Sequence, residues 1–244
     1  MTVLPLDIQL LRTLRRGAKR MTEEAQACAR AFVQNQMLND GSFKNRGGKS
    51  DLYYTMFGWM MCYTLGIKTE DGQRKAYLDG LQTERLDALH QTVYHQCLLL
   101  DELLRHGLLR ATLRNWHERH HLEAFMHEFV RHTVTQTLNG TAASLFDREL
   151  DRTEREKKLQ YILSLQDPTG GFLASEGAAM PDLLTTAVAL FTLKANGVAP
   201  AYETSDFVEV HFQEDGSFMP NLIDEQSDVE YSFYGLLALG SEGK

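Results

Sequence analysis

The chain has 244 residues, of which 43% are hydrophobic and 24% are charged, and its formal net charge is −8. This composition predicts one globular domain over residues 1–244 with a single large core. The acidic balance argues against nucleic-acid binding, because phosphate contacts require clustered Lys and Arg. No apolar run reaches the roughly 18 residues that an integral membrane segment requires.

The cysteines and the N-terminal pattern predict a cytoplasmic protein. Cys28, Cys62 and Cys97 are widely spaced, and each lies inside an apolar helical pattern. No Cys-x-x-Cys pair is present in the sequence, so we expect reduced, buried thiols. The basic residues near the N-terminus follow the apolar stretch instead of preceding it, which is not the pattern of a signal peptide.

Some of the predicted helices are amphipathic. Leu4–Lys19 has leucines beside basic residues, which predicts an outer helix that packs on the rest of the fold. The alternative for this segment is a surface that contacts an anionic membrane or a protein partner. Residues 22–37 begin with Thr22 as a candidate cap and carry one apolar stripe, and residues 153–165 have the same pattern. These helices should have one face in water.

Other predicted helices are apolar on nearly every side, namely Asp51–Leu65, Asp182–Ala195 and Asp228–Leu239. A weaker version runs from Asp87 to Gly107. Helices of this kind should be buried all round. The alternation of one-faced and buried helices predicts an all-α fold, an α/α toroid of about six helical hairpins with an inner and an outer layer.

Three internal repeats support this architecture. Each contains a Gln, a Gly-containing turn followed by Phe, an Asp that begins an apolar helix, and a closing Gly. The turn glycine permits a positive φ, and the Phe can plug the hairpin core. The Asp should cap the helix, and the last Gly should end it. In that order, the repeats are Gln36, Gly41, Phe43, Asp51 and Gly66; Gln166, Gly170, Phe172, Asp182 and Gly197; and Gln213, Gly216, Phe218, Asp228 and Gly240.

This pattern resembles the prenyltransferase and squalene-oxidase repeat of protein prenyltransferase β-subunits and squalene-type terpene cyclases. The resemblance covers three repeats clearly and the whole chain more loosely. It implies a toroid whose inner helices enclose a central apolar cavity. It also implies an apolar small-molecule partner, either an isoprenoid, a prenyl diphosphate or a similar compound.

The zinc-binding residues of the family have counterparts of a different type in this chain. Residues 228–234 (Asp-Val-Glu-Tyr-Ser-Phe-Tyr) resemble the family stretch Asp-x-Cys-Tyr-Ser-Phe-Trp, with Glu230 at the Cys position. Residues 51–55 (Asp-Leu-Tyr-Tyr-Thr) resemble Asp-x-Tyr-His-Thr, with Tyr54 at the His position. Loss of the thiolate and the imidazole argues against that Zn²⁺ site. A site of Asp and Glu instead suits Mg²⁺, which would match a diphosphate.

The acid motif of the alkene-protonating terpene cyclases is also incomplete. Alignment of the family stretch Asp-x-Asp-Asp-Thr-Ala on Thr186 and Ala187 places Asp182 at its first Asp. Leu184 and Thr185 occupy the other two acidic positions. The resemblance therefore implies that the cyclase catalytic acid is absent from this stretch.

Candidate catalytic residues are Asp182, Asp228 and Glu230. Helix capping is the preferred interpretation of Asp51, Asp182 and Asp228. Glu230 differs, because a carboxylate in an apolar helix is costly unless it is paired, metal-bound or functional. An aromatic set is expected to line the cavity, with plain core packing as the alternative. Its members are Tyr53, Tyr54, Phe57, Trp59, Tyr231, Phe233 and Tyr234.

A second motif competes with this interpretation. Residues 117–121 read His-Glu-Arg-His-His, a literal His-Glu-x-x-His. On a helix this places His117 and His121 on one face, as a pair of zinc ligands with Glu118 as a base. The segment is rich in His, and Arg119 and His120 are charged at positions that metalloproteases usually keep uncharged. An ordinary helical face is therefore preferred.

Three hypotheses for function follow from the sequence. The first is a divergent prenyltransferase-like or terpene cyclase-like protein with a cavity for an isoprenoid or similar apolar substrate. The second is a non-catalytic toroid that acts as a binding or assembly module. The third is a zinc hydrolase that uses His117 and His121. A Glu230 side chain that points inward among aromatic residues would favour the first.

Overall fold

The computed structural model describes residues 6–114, 137–146, 150–224 and 226–243. These residues form ten α-helices and one small antiparallel sheet, which confirms the all-α prediction. The sheet consists of β1 (Phe43–Lys44) and β2 (Ser50–Asp51). The helices are α1 Leu6–Arg20, α2 Glu23–Gln36, α3 Leu52–Leu65, α4 Asp71–Asp79, α5 Ala88–Arg114, α6 Leu138–Ser144, α7 Arg152–Ser164, α8 Leu183–Ala195, α9 Ser205–Val210 and α10 Val229–Ser241.

The repeat turns form as the sequence predicts. Gly41, Gly170 and Gly216 have φ values of 79°, 98° and 88°, which L side chains rarely adopt. The following Phe43, Phe172 and Phe218 are buried beneath the turns. Each turn therefore fixes the angle between an outer and an inner helix and inserts one aromatic ring into the hairpin.

The Gln residues of the three repeats are not equivalent, which corrects the predicted alignment. Isolated bridges pair Met37 with Phe43, Gln166 with Phe172, and Phe212 with Phe218. Gln166 therefore matches Met37 and Phe212 instead of Gln36 and Gln213. Its side chain has a separate structural role, since its Oε1 accepts hydrogen bonds from the backbone N–H groups of Ala201 and Tyr202 at 2.7 and 3.0 Å.

Three of the inner helices, α3, α8 and α10, pack side by side. Helix α10 contacts α3 on one side and α8 on the other, α3 also contacts α5, and α8 also contacts α6. The first and third repeats are therefore neighbours, and a seam between α3 and α10 joins the N-terminal and C-terminal parts of the chain. Helix α2 packs on α3 and α10, and α4 packs on α5, so that the hairpins form two layers.

Helix α1 packs on α10 and α3, as expected of a helix that closes the ring. The contact with α10 is close because a Cβ on Gly17 would lie 2.0 Å from the Leu236 carbonyl oxygen, and one on Gly240 would lie 1.9 Å from the Thr13 carbonyl oxygen. The prediction that Gly240 ends the last helix is therefore wrong. Gly240 lies inside α10, where the absence of a side chain allows two helix backbones to meet.

The remaining predictions about the fold have mixed outcomes. Gly66 ends α3 in the left-handed conformation with φ 68°, and Gly107 interrupts α5 with φ 74°, as the pattern indicated. Cys62 and Cys97 are buried free thiols, but Cys28 is only half-buried, which corrects the expectation for that residue. Among the described helices, none combines the length and the apolar character that crossing a membrane demands.

Candidate functional site

The inner helices α3, α8 and α10 each begin at a capping aspartate. Asp51 Oδ1 accepts hydrogen bonds from the N–H groups of Tyr53 and Tyr54, at 2.9 and 3.4 Å. Asp182 caps α8 through the N–H of Thr185 at 2.8 Å, and Asp228 caps α10 through that of Tyr231 at 3.0 Å. The capping prediction is confirmed at all three positions, and the helix starts place these carboxylates near the same end of the inner layer.

Arg46 connects two of the acidic residues at this end across the α3–α10 seam. It lies in the hairpin between β1 and β2, and its Nε donates a hydrogen bond to Asp228 Oδ2 at 2.8 Å. A second guanidinium nitrogen is 3.0 Å from Asp224 Oδ2. The guanidinium also lies over the ring of Tyr231, 5.4 Å from its centroid. The sequence interpretation missed Arg46, since no local pattern links it to residues about 180 positions away.

Glu230 lies on the side of α10 that faces away from the repeat turn at Phe218. Gly235 faces the Phe218 ring, and Glu230 is five residues earlier, which is an angle of about 140° around the helix axis. Tyr53 is five residues before Gly58, which faces the Phe43 ring in the same way. The two side chains meet across the seam, where the Tyr53 hydroxyl donates a hydrogen bond to Glu230 Oε1 at 2.8 Å.

The surroundings of Glu230 disfavour its charge. Burial raises the pKa of this carboxyl, and the charge of Asp228 raises it further. The hydrogen bond from Tyr53 and the charge of Arg46 act in the opposite direction, but burial is the largest effect. The helix N-terminus favours a carboxylate in the first turn of α10. Glu230 is therefore a half-buried acid whose protonation is easier than in water.

Six of the seven predicted aromatic residues lie at the seam with Glu230. Tyr53 and Tyr54 come from α3, and Tyr231, Phe233 and Tyr234 come from α10. Phe57 links the two helices, because its ring centroid lies 5.0 Å from that of Tyr53 and 4.9 Å from that of Phe233 in edge-to-face geometry.

Trp59 lies apart from this seam cluster. It is fully buried, its Nε1 donates a hydrogen bond to the Gly41 carbonyl oxygen at 2.9 Å, and its ring contacts Tyr77 of α4. The structure thus places Trp59 against the repeat turn at Gly41 and against α4, and not at the seam. Its helical spacing from Tyr53 did not reveal this, since α3 is apolar on every side.

Four tyrosines at the seam, Tyr53, Tyr54, Tyr231 and Tyr234, have raised pKa values. Burial is the first cause that raises the pKa of each of the four, and the carboxylate of Glu230 raises it further. Burial raises the pKa of Tyr231 to about 12. These hydroxyls therefore remain protonated at neutral pH and can act as hydrogen-bond donors.

Asp182 and His211 form a second, more enclosed part of this end. Burial raises the pKa of Asp182, whereas hydrogen bonds from Thr185 oppose this shift. His211, which the sequence interpretation missed, is fully buried and donates from Nδ1 to the Phe207 carbonyl oxygen at 2.7 Å. Burial lowers its pKa, and the hydrogen bond to the Phe207 carbonyl oxygen and the charge of Asp182 oppose this shift.

The expected metal ligands do not assemble in the described ranges. No group of three or more His, Cys, Asp and Glu side chains suited to a metal ion occurs among residues 6–114, 137–146, 150–224 and 226–243. Asp228 is engaged by Arg46 and its helix, and Glu230 accepts a hydrogen bond from Tyr53. The carboxylates at the seam therefore do not fit the Mg²⁺ site that the sequence suggested. His117 and His121 lie outside the described residues, and so do Glu118, Arg119 and His120.

The two layers of helical hairpins and the capped inner helices define the class of protein, an all-α toroid. The family model of the prenyltransferase alpha-alpha toroid domain matches residues 117–240, which is just over half of the chain. The chain therefore belongs to this family. No curated protein and no solved structure matches it significantly. The matched range includes the second and third repeats and α10 up to Gly240.

Proposed function

We propose that this toroid is a divergent member of its family that binds an isoprenoid or a comparable apolar molecule. The inner helices provide the surface for the apolar chain, and Asp182, Asp228 and Glu230 lie at its polar end. The observation that carries this proposal is the position of Glu230. It lies on the side of α10 away from the repeat turn at Phe218, among aromatic residues of two inner helices.

Partly exposed apolar stripes on the inner helices support the ligand class. On α3, Tyr53, Met56 and Met60 are half-buried, although most other residues of that helix are buried. Their spacing of three and four residues puts them on one face, and Met60 is separated from Gly58 by about 160° around the helix axis. This stripe lies opposite the side of α3 that packs on Phe43, and such a surface suits contact with an apolar ligand.

The chemistry of the zinc-dependent prenyltransferases is not part of this proposal. Their metal activates a thiolate, which needs soft and imidazole ligands. Glu230 and Tyr54 stand at those positions, and Glu230 is bound to Tyr53. What supports the proposal is an apolar surface with an acidic end, which indicates a class of ligand and not a specific reaction.

The proposal can be tested by native mass spectrometry and by titration of the purified protein with farnesol and with farnesyl diphosphate. We expect at least one of these compounds to bind with one-to-one stoichiometry. Met60→Gln, which keeps the side-chain length and adds a polar amide to the stripe, should weaken that binding about tenfold or more. The matched control is Met21→Gln, at a half-buried methionine between α1 and α2.

Melting temperatures of both variants distinguish a folding defect from a binding defect, because a loss of binding without a lower melting temperature belongs to the ligand surface. If Met60→Gln and the parent protein bind equally well, the stripe on α3 is not the ligand surface. If neither compound binds the parent protein, the proposed ligand class is wrong.

A further inference from the structure

The polar end of the proposed site carries more negative than positive charge. The carboxylates whose charges raise the pKa values of Tyr54, Tyr231 and Tyr234 are Asp51, Asp182, Asp228 and Glu230. Arg46 lowers the pKa values of Tyr54 and Tyr231, and it already pairs with Asp228 and Asp224. The end that would hold the head group of a ligand is therefore acidic.

Glu230 has no direct cationic partner within the described parts of the chain. Oε1 accepts the hydrogen bond from Tyr53, and Oε2 accepts none from any described residue. Glu230 is only partly buried, and the nearby cation, Arg46, is bound to Asp228 and Asp224. A partly desolvated carboxylate in this position would be stabilised by a ligand of opposite charge. The unmatched oxygen is therefore a site for a hydrogen-bond donor or a positive charge.

The rings around Glu230 suit a positive charge as well. The face of an aromatic ring attracts cations, and it does so more strongly when water is excluded. Tyr53 and Tyr234 lie on opposite helices, and Phe57 links them with centroid distances of 5.0 and 5.9 Å. Arg46 already uses the face of Tyr231 in this way, 5.4 Å from its centroid.

We propose that the polar end of this site binds an organic cation, a protonated amine or quaternary ammonium group attached to an apolar chain. Glu230 would be its counterion, and the rings of Tyr53 and Tyr234 would flank it. This inference rests on the proposed function, because the chain of the ligand occupies the stripe on the inner helices. It also ranks ligands, since the same carboxylates repel a diphosphate.

Three probes with one common chain test the head-group preference by isothermal titration: octyltrimethylammonium, 1-octanol and octyl phosphate. The expected affinity order is ammonium, then alcohol, then phosphate, with about a tenfold preference for ammonium over alcohol. Glu230→Gln should remove most of this preference, because the amide keeps the acceptor for Tyr53 and carries no charge to attract the ammonium group. Glu214→Gln, at an exposed loop residue, is the matched control.

The outcomes separate the two proposals. Octanol binding without any preference for ammonium overturns the cation site and leaves the apolar ligand in place. Tighter binding of octyl phosphate has the same meaning for the head group, and it would favour a prenyl diphosphate. If the Glu230→Gln variant still prefers the ammonium probe, the cation binds elsewhere, and the assignment of Glu230 as its counterion is wrong. If none of the probes binds, both the cation site and the proposed function fail.

Discussion

The two ends of helix α10 place a glutamate in opposite surroundings. At the C-terminal end, Glu242 is only 8% exposed and pairs with Arg20 at 3.1 Å. At the N-terminal end, Glu230 is half-buried and its direct partner is the neutral hydroxyl of Tyr53. Glu242 forms a direct ion pair with a cation of the same chain, and Glu230 does not. The difference separates a structural contact from a candidate ligand site.

Basic side chains complete the hydrogen bonding of the C-terminal end. Arg16 donates to the Gly240 carbonyl oxygen at 2.6 Å, Arg20 donates to that of Leu239 at 2.8 Å, and Lys194 donates to that of Glu242 at 2.7 Å. Cations at a helix C-terminus complement its dipole and its free carbonyl groups. The basic face of α1, which the sequence offered as a possible membrane or partner surface, contributes two of these cations to the fold.

The largest expected effect comes from the C-terminal end. Gly240→Ala should destabilise the protein by about 3 kcal/mol, because the added Cβ meets the Thr13 carbonyl oxygen and forces α1 away from α10. Urea denaturation measures this free energy of unfolding. Gly243→Ala is the control, since no atom lies within 4 Å of its added Cβ. Equal stability of the two variants would mean that the helices do not meet at Gly240.

The next effect concerns Asp228 at the N-terminal end. Asp228→Ala should cost about 2 kcal/mol, because α10 loses its cap and Arg46 loses one of its two carboxylates. Asp228→Asn keeps an effective cap and should cost clearly less. Thermal unfolding of the pair separates capping from charge. A cost for Asn as large as that for Ala would show that the ion pair with Arg46 dominates.

Glu230→Gln should stabilise the protein by about 1 kcal/mol above neutral pH. The pKa of Glu230 is raised in the folded state, so its ionisation destabilises the fold, and the amide removes that cost. The gain should shrink as the pH falls through the raised pKa and vanish below the ordinary value of 4.5. Melting temperatures measured from pH 4 to pH 8 check this. A pH-independent gain, or a loss, would contradict the assigned cause.

The smallest effect belongs to a single cation at the C-terminal end. Arg20→Gln should cost about 0.5 kcal/mol, because Arg20 is partly exposed and Arg16 and Lys194 still donate to the last carbonyl groups. The difference from the parent protein should decrease in 1 M salt, which screens exposed charges. Chemical denaturation at two salt concentrations measures it. A loss of several kcal/mol would show that the cations do not share this role.

Local signals made part of the site predictable. The capping aspartates form hydrogen bonds with residues two or three positions further along, so Asp51, Asp182 and Asp228 could be placed from sequence. Glu230 was conspicuous because a carboxylate is unusual in an apolar helix. The partners of these groups were not predictable. Tyr53 and Glu230 are 177 positions apart, and His211 has an Nε2 that is buried without a partner among the described residues.

The sequence by itself determined the helical class, the repeat turns at Gly41, Gly170 and Gly216, and the capped starts of the inner helices. These features depend on φ preferences and on hydrogen bonds between near neighbours in the chain. Only the tertiary structure decided that Gly240 is a contact between helices and that Arg46 reaches Asp228. Such contacts arise from how the helices pack across the seam, and a periodic pattern that is apolar on every side does not specify which side meets which neighbour.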